Sequence, residues 1–347
     1  MTINNTHEFF IQWHLTERCN LRCTHCYQTG GKTDELSLAE ISSVSKEVSD
    51  TLKAWSGAYD ISFAPSFSIT GGEPFLRSDL FEVLDVVRTL GFDIYILSNG
   101  TLIDREKAQA LAGLGVKGVQ VSMEGRQEIH DSIRGAGSFS SAVRGIRYLL
   151  DAGLKVTINA TLSMINAEHF MDLVDLSLFL GVQRLGFSRL VPSGRGLGLL
   201  DKMIAREDVR QMYERIFSIK TNGLEIVTGD PVASQINCTA GGGSVPSGGC
   251  AAGVSGLTFL PDGTIIPCRR LFIPIGNVRK DRIREVWATS PVLEALRDKG
   301  RYKGRCGSCS RWSGCRGCRA IAYAYSLAKG SDDFLVEDPQ CFIRDNI

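Results

Sequence analysis

The stretch Cys19-Asn20-Leu21-Arg22-Cys23-Thr24-His25-Cys26-Tyr27 places three thiols at the spacing Cys-x3-Cys-x2-Cys. The loop is short enough to wrap one inorganic core, and three is the informative number. A structural zinc ion takes four protein ligands, whereas a four-iron cluster held by three cysteines keeps one iron open to a small molecule. His25 offers a fourth donor, so a zinc site is the alternative at this point. The apolar run Phe9 to Leu15 stands just before the loop and has strand character.

Outward from there, strand-like runs alternate with helical patterns from Phe9 to about Leu190, the signature of repeated βα units around a parallel sheet. Strands are expected near Phe9 to Leu15, Phe67 to Thr70, Ile94 to Ser98, Gly118 to Ser122, Lys155 to Thr161 and Arg184 to Leu190. Helices are expected over Ser37 to Ala54, opened by a Ser37/Glu40 capping box, and over Ser78 to Leu90 before Gly91. The fold class is α/β, a partial six-stranded TIM-like barrel whose site residues follow the carboxyl ends of the strands. A Gly-rich stretch, Ser193 to Gly198, suggests a core of residues 1–200, then a helical linker over 201–237 centred on Ala205 to Thr221. Residues 238–347 form a small C-terminal domain, entered through the Gly/Ser/Pro-rich Ala240 to Gly249.

With 347 residues and 43% apolar composition the chain fills a sizeable core, which excludes disorder. A net charge of +1, from 39 basic and 38 acidic residues, gives no sequence-wide footprint for nucleic acid or an anionic membrane. The N-terminus lacks the pattern of a signal peptide and no long apolar run is present, so a cytoplasmic, soluble protein is expected. Eleven cysteines are many for a reducing compartment, and an odd number cannot pair completely. Three lie between Cys19 and Cys26 and eight between Cys238 and Cys341, which implies two metal-bearing regions.

After the second strand comes Thr70-Gly71-Gly72-Glu73-Pro74. Together with the cysteine loop it resembles the radical S-adenosylmethionine (SAM) superfamily, over roughly residues 9 to 200. The resemblance implies a [4Fe-4S] cluster on Cys19, Cys23 and Cys26 whose open iron chelates the amino and carboxylate groups of SAM. One electron then cleaves the sulfonium and releases a 5′-deoxyadenosyl radical that abstracts hydrogen. Gly71 and Gly72 would let backbone approach the ligand, and Glu73, ahead of Pro74, would receive its ammonium group. By the same resemblance Ser98, Ser122 and Arg134 contact the methionyl or ribose part of SAM, with Asn99 beside them, Tyr27 near the adenine and Asn159 in the fifth strand. Many members carry aspartate where this chain has Glu124.

The last third reads Cys250-x12-Gly263-x4-Cys268, then Cys306-x2-Cys309-x5-Cys315-x2-Cys318, then Cys341. A zinc ribbon separates its cysteine pairs by a dozen or more residues, not five. The block resembles the SPASM extension of radical SAM enzymes, which binds two auxiliary four-iron clusters. Carried across, Cys250, Cys268 and Cys318 hold the first with Cys238 as fourth ligand, and Cys306, Cys309, Cys315 and Cys341 hold the second. Three clusters then use all eleven cysteines. Two departures stand out: Cys315 and Cys318 are separated by two residues where three are common, and Cys238 lies unusually far before Cys250. The short spacing, with Arg319-Ala320-x-Ala322-Tyr323-Ala324 and Glu337-Asp338-Pro339-x-Cys341, resembles a subgroup of haem-pathway enzymes, mycofactocin maturases and maturases for tungsten oxidoreductases.

The expected function is a maturase acting on a peptide, a protein or a cofactor precursor, with a tungsten oxidoreductase as the favoured client. The alternatives are modification of a tetrapyrrole by oxidative decarboxylation, and a non-catalytic iron–sulfur electron carrier. A flavodoxin or ferredoxin reductant is expected. Only eighteen residues precede Cys19, too few for a leader-recognition domain in the same stretch, which stands against a dedicated peptide enzyme unless a separate leader-binding protein serves it. Nucleic acid and membrane are not expected partners. His7, His14, His25, His130 and His169 stand singly, so core or surface roles are the default. No acid or base is assignable.

Overall fold

The structure, a computed structural model, describes residues 6–31, 34–237 and 249–343. In β1 (Thr6–His14) the residues Phe9, Ile11 and Trp13 alternate into the core. After α1 (Leu38–Tyr59) come β2 (Ser62–Thr70), α2 (Leu80–Thr89), β3 (Asp93–Ser98), α3 (Arg105–Gly113) and β4 (Gly118–Ser122). Helices α4 (Gln127–Arg134) and α5 (Ser138–Asp151), β5 (Val156–Leu162), α6 (Phe170–Leu180) and β6 (Arg184–Arg189) follow. The expected six strands are all present, paired parallel in chain order. Period-two alternation gives them two kinds of face. Val156, Ile158, Ala160 and Leu162 of β5 are buried, while Asn159 and Thr161 between them face a cavity.

The capping box forms as expected: the Glu40 N–H donates to Ser37 Oγ at 3.3 Å and the Ser37 N–H to Glu40 Oε2 at 2.8 Å. The helix runs on to Tyr59, past the expected end, and stops at Asp60 in the left-handed region, φ 53°. Glu40 also accepts from Arg279 Nε at 2.7 Å, which ties the start of α1 to the C-terminal region. Ser37→Ala is expected to cost about 1 kcal/mol, read as a lower midpoint in urea unfolding with unchanged slope.

Beyond β6, α7 (Arg206–Ser218) leads to β7 (Glu225–Thr228), a strand the sequence reading did not find, which pairs parallel with β6. A short α8 (Ser234–Asn237) follows. The C-terminal region then returns to the opposite edge of the sheet. β8 (Gly256–Phe259) pairs parallel with β1, and β9 (Thr264–Ile266) and β10 (Gly276–Asn277) extend it antiparallel, completing a ten-stranded sheet. Aromatic contacts seal the junction: Trp13 meets Phe259 edge-on at 5.3 Å and Phe9 meets Trp287 at 5.2 Å. Short helices α9 (Ile283–Thr289), α10 (Pro291–Arg297) and α11 (Gly304–Ser308), then α12 (Arg319–Ala328), complete the chain order. Among the described residues no helix is long and apolar enough to cross a membrane.

Candidate active site and metal-binding regions

A cavity of about 520 Å³ opens at the carboxyl ends of the strands, bordered by Cys19, Cys23 and Cys26. The strand ends supply its wall: Leu97 and Ser98 from β3, Gln120 and Ser122 from β4, Asn159 and Thr161 from β5, Ser188 from β6. Tyr27, Gly71, Gly72, Asn99 and Arg134 also border it, while Glu73 and Pro74 do not.

The glycine pair makes its close approach to the cysteine loop. The Gly72 N–H donates to Thr16 O at 2.7 Å and the Glu73 N–H to Arg18 O at 2.8 Å. A Cβ would lie 2.5 Å from Thr16 O at Gly71, where φ is +152°, and 2.3 Å from Arg18 O at Gly72. Gly72→Ala therefore forces the two loops apart. The expected result is a loss of about 1–3 kcal/mol in unfolding free energy, read as a lower midpoint in urea unfolding.

Glu73 is fully buried and its carboxylate is spoken for by the chain itself. It accepts from Ser98 Oγ at 2.9 and 3.0 Å, from the Asn99 N–H at 2.8 Å and from the Phe75 N–H at 3.2 Å. Burial pushes its pKa up to about 7 against those hydrogen bonds. The carboxylate thus braces the loops after β2 and β3. Asn99, held by that brace, turns its amide toward Asn20 Oδ1 at 2.9 Å and Cys19 Sγ at 3.9 Å.

A second buried carboxylate organises the other side of the cysteine loop. Glu124 accepts from Arg134 Nη2 at 2.6 Å and Nε at 2.9 Å, lies 3.2 Å from His25 Nε2, and takes the Thr161 N–H at 2.9 Å. Burial alone would raise its pKa, but Arg134 and then His25 outweigh burial and hold it well below the usual range. Arg134 also points Nη1 at Cys23 Sγ, 3.8 Å away. His25, whose default reading was a core or surface histidine, is thus joined to Glu124. His130 keeps a structural place: burial, then Arg134, push it down to about 4, so at neutral pH it is an uncharged acceptor for the Glu124 N–H.

The Gly-rich stretch read as a boundary instead cradles this loop. The Gly196 N–H donates to Cys26 O at 3.0 Å, and Arg195 Nε donates to Cys23 O at 3.0 Å. A Cβ at Gly194, φ +55°, would lie 2.4 Å from Tyr27 O.

In the C-terminal region Cys306, Cys309, Cys315 and Cys341 line one small pocket with Trp312 and Arg316. Cys250, Cys268 and Cys318 form a separate group: burial, then the neighbouring Cys268, pushes the Cys250 thiol up, and burial pushes Cys318 up to about 12. Cys238 lies outside the described residues. Between Cys315 and Cys318 two successive residues, Arg316 (φ 63°) and Gly317 (φ 61°), are left-handed, and this sharp turn sends the two cysteines to different groups. The Arg316 guanidinium secures the turn by donating to Cys250 O at 2.7 Å and Ser313 O at 2.7 Å. The thiols fit iron–sulfur ligation: Asn99, Arg134 and, at 3.8 Å from Cys306 Sγ, Arg319 present donors to sulfur, as anionic cluster thiolates require.

The radical SAM superfamily model matches residues 13–177, and that of the SPASM iron–sulfur cluster-binding domain matches residues 250–318. The AdoMet-dependent heme synthase of Nitratidesulfovibrio vulgaris is 30% identical, with 95% of this chain and 91% of that protein aligned. The chain is a radical SAM enzyme with a SPASM domain. The mycofactocin maturase of Mycolicibacterium smegmatis is also 30% identical, over 95% of this enzyme and 82% of that protein. In fold, SuiB of Streptococcus suis bound to its precursor peptide SuiA superimposes with a TM-score of 0.76 at 19% identity, covering 97% of this enzyme and 76% of SuiB. The family carries a [4Fe-4S] cluster with SAM in the first region and additional iron–sulfur clusters in the second.

Motif reasoning passed over four groups at the radical SAM site: the Glu124–His25 contact, Arg195, Arg269 and Arg270. His25 had a usable signal, since it stands between Cys23 and Cys26. The Arg269-Arg270 pair, next to Cys268, had another.

Proposed function

We propose that this enzyme binds SAM at a four-iron cluster on Cys19, Cys23 and Cys26, cleaves it reductively and modifies a peptide, a protein or a cofactor precursor. One observation carries the reading: a single cavity is bordered both by the three-cysteine loop and by Arg269 and Arg270, which follow Cys268. Its volume of about 520 Å³ is that of a small-molecule site. Bound there, the cluster supplies one electron to the sulfonium of SAM and so releases the 5′-deoxyadenosyl radical. Asn99 and Arg134 orient and charge-balance the thiolates of Cys19 and Cys23. Gly71, Gly72, Ser98, Ser122 and Asn159 present backbone and side-chain polar groups to the methionyl and ribose parts, and the Tyr27 ring flanks the adenine. Glu73, ahead of Pro74, keeps Ser98 and Asn99 in place.

Two further clusters complete the proposal, one on Cys250, Cys268, Cys318 and Cys238, the other on Cys306, Cys309, Cys315 and Cys341. A cytoplasmic flavodoxin or ferredoxin supplies the electron. A peptide substrate would come with a separate leader-binding protein, and the cofactor of a tungsten oxidoreductase is one candidate product. Modification of a tetrapyrrole is the second reading, favoured by the heme synthase relatives aligned over nearly the whole chain.

The test is anaerobic reconstitution followed by reduction in the presence of SAM. The proposal expects 5′-deoxyadenosine and about twelve irons per chain. Zinc in place of iron would sink it outright, and no 5′-deoxyadenosine from fully iron-loaded protein would sink it and leave a non-catalytic iron–sulfur electron carrier.

A further inference from the structure

Charge around the radical SAM cavity is one-sided. Arg18, Arg22, Arg134, Arg195, Arg269 and Arg270 border it, against a single carboxylate among the described residues, Glu17. Some of these cations are already committed. Arg18 pairs with Glu35 at 3.0 Å, Arg134 with Glu124 at 2.6 Å, and Arg195 donates to Cys23 O and Thr29 O. Arg269 and Arg270 are different. Neither pairs with a carboxylate among the described residues, and Arg270 Nε is buried without any hydrogen-bond partner. A buried guanidinium donor left unmatched is costly, and two adjacent cations repel, so the cavity side of the pair is a ready site for an anion.

The two arginines are also held rigidly. They are the central residues of a tight turn closed by the Leu271 N–H donating to Cys268 O at 2.8 Å, and Leu271 is anchored in the core. At this tip the Arg269 guanidinium lies 5.9 Å from the centre of the Tyr27 ring, one residue beyond Cys26. On the other side, the turn begins at Cys268 itself, a member of the first group of C-terminal cysteines. The pair therefore stands between the cysteine loop that would cleave SAM and the first group of C-terminal cysteines.

We propose that Arg269 and Arg270 form a carboxylate-binding subsite that anchors an acidic substrate in this cavity, between the two cysteine regions. This rests on the reading that the cavity holds SAM with its own carboxylate on the open iron, so that the anion facing the turn belongs to the substrate. Guanidinium forks match a carboxylate with two parallel hydrogen bonds, and a desolvated pair gives both affinity and orientation. Peptides and cofactor precursors bearing acid side chains or termini fit; neutral ones do not.

Glutarate is a suitable probe, titrated calorimetrically into anaerobically reconstituted, SAM-loaded enzyme with uncharged glutaramide and inorganic phosphate as controls. Saturable glutarate binding is expected, none for glutaramide, and at least a tenfold weakening in both Arg269→Gln and Arg270→Gln. Arg270→Lys should recover only part of it, because an ammonium group cannot form the fork. Equal glutarate affinity in wild type and both variants overturns the subsite, as does a preference for phosphate. A loss of SAM affinity as large as the loss of glutarate affinity also overturns it, since the arginines would then serve SAM. Should Arg270→Gln lose iron, Arg269→Gln, whose guanidinium lies over the Tyr27 ring, decides. 5′-Deoxyadenosine is assayed in the same samples. Protein that cleaves SAM but ignores the pair sinks the subsite alone, and protein that binds glutarate through the pair but never cleaves SAM sinks the function alone.

Discussion

Arg189→Met is expected to destabilise the enzyme by about 3–5 kcal/mol and to empty the C-terminal cysteine groups of iron. Arg189 ends β6 and is 1% exposed, yet it carries two carboxylates. Its Nε and Nη2 donate to Asp230 at 2.7 and 2.9 Å, and its Nη1 and Nη2 to Asp338 at 3.0 and 2.8 Å. Asp338 in turn accepts the Cys318 N–H at 2.9 Å and stands three residues before Cys341. One guanidinium thus joins a barrel strand, through Asp338, to Cys318 of one C-terminal group and Cys341 of the other. Methionine fills its space but strands two buried carboxylates, whose unpaired charges set the cost. Urea unfolding and iron content per chain measure the effect. Combining Arg189→Met with Asp230→Asn and Asp338→Asn should recover part of the loss; no recovery, or a single variant as stable as wild type, would show that this network does not hold the regions together.

Cys23→Ala is expected to abolish 5′-deoxyadenosine formation and to remove about four irons per chain while sparing the C-terminal sites. Cys23 is the deepest of its loop, buried and facing Arg134. Alanine there removes the thiolate that Arg134 charge-balances and leaves two ligands, too few to retain the core. Matching substitutions of Cys19 and Cys26 should behave alike. The reading fails if any one of the three still yields 5′-deoxyadenosine at the wild-type rate. Cys306→Ala offers the contrast, with iron lost from the C-terminal region and the SAM-cleaving loop still loaded.

Much of this was legible in the chain itself. Cysteine spacing reports metal chemistry because ligands of one cluster must reach a common core from a short loop, and period-two alternation reports strands because side chains alternate across them. The α1 cap was legible for the same local reason: Ser37 and Glu40 meet within one turn. Glu73 shows the limit. Its motif was plain, but that its carboxylate braces Ser98 and Asn99 depends on how the loops after β2 and β3 pack. β7 escaped because Glu-Ile-Val-Thr is short and half-exposed, a strand only by virtue of the β6 edge beside it.

By itself, then, the sequence determined the run of βα units, the three-cysteine loop with its glycine-rich partner and the cysteine-dense C-terminal region. All are written in contacts a few residues apart, where spacing and periodicity dictate geometry. Tertiary structure alone decided that β8 closes onto β1, that Glu124 holds both Arg134 and His25, that Arg189 bridges Asp230 and Asp338, and that the Arg269-Arg270 turn faces the cavity. Those partners are drawn from distant stretches of chain, and a charge finds its counterion only after burial of the surrounding apolar surface has fixed where each strand end lies.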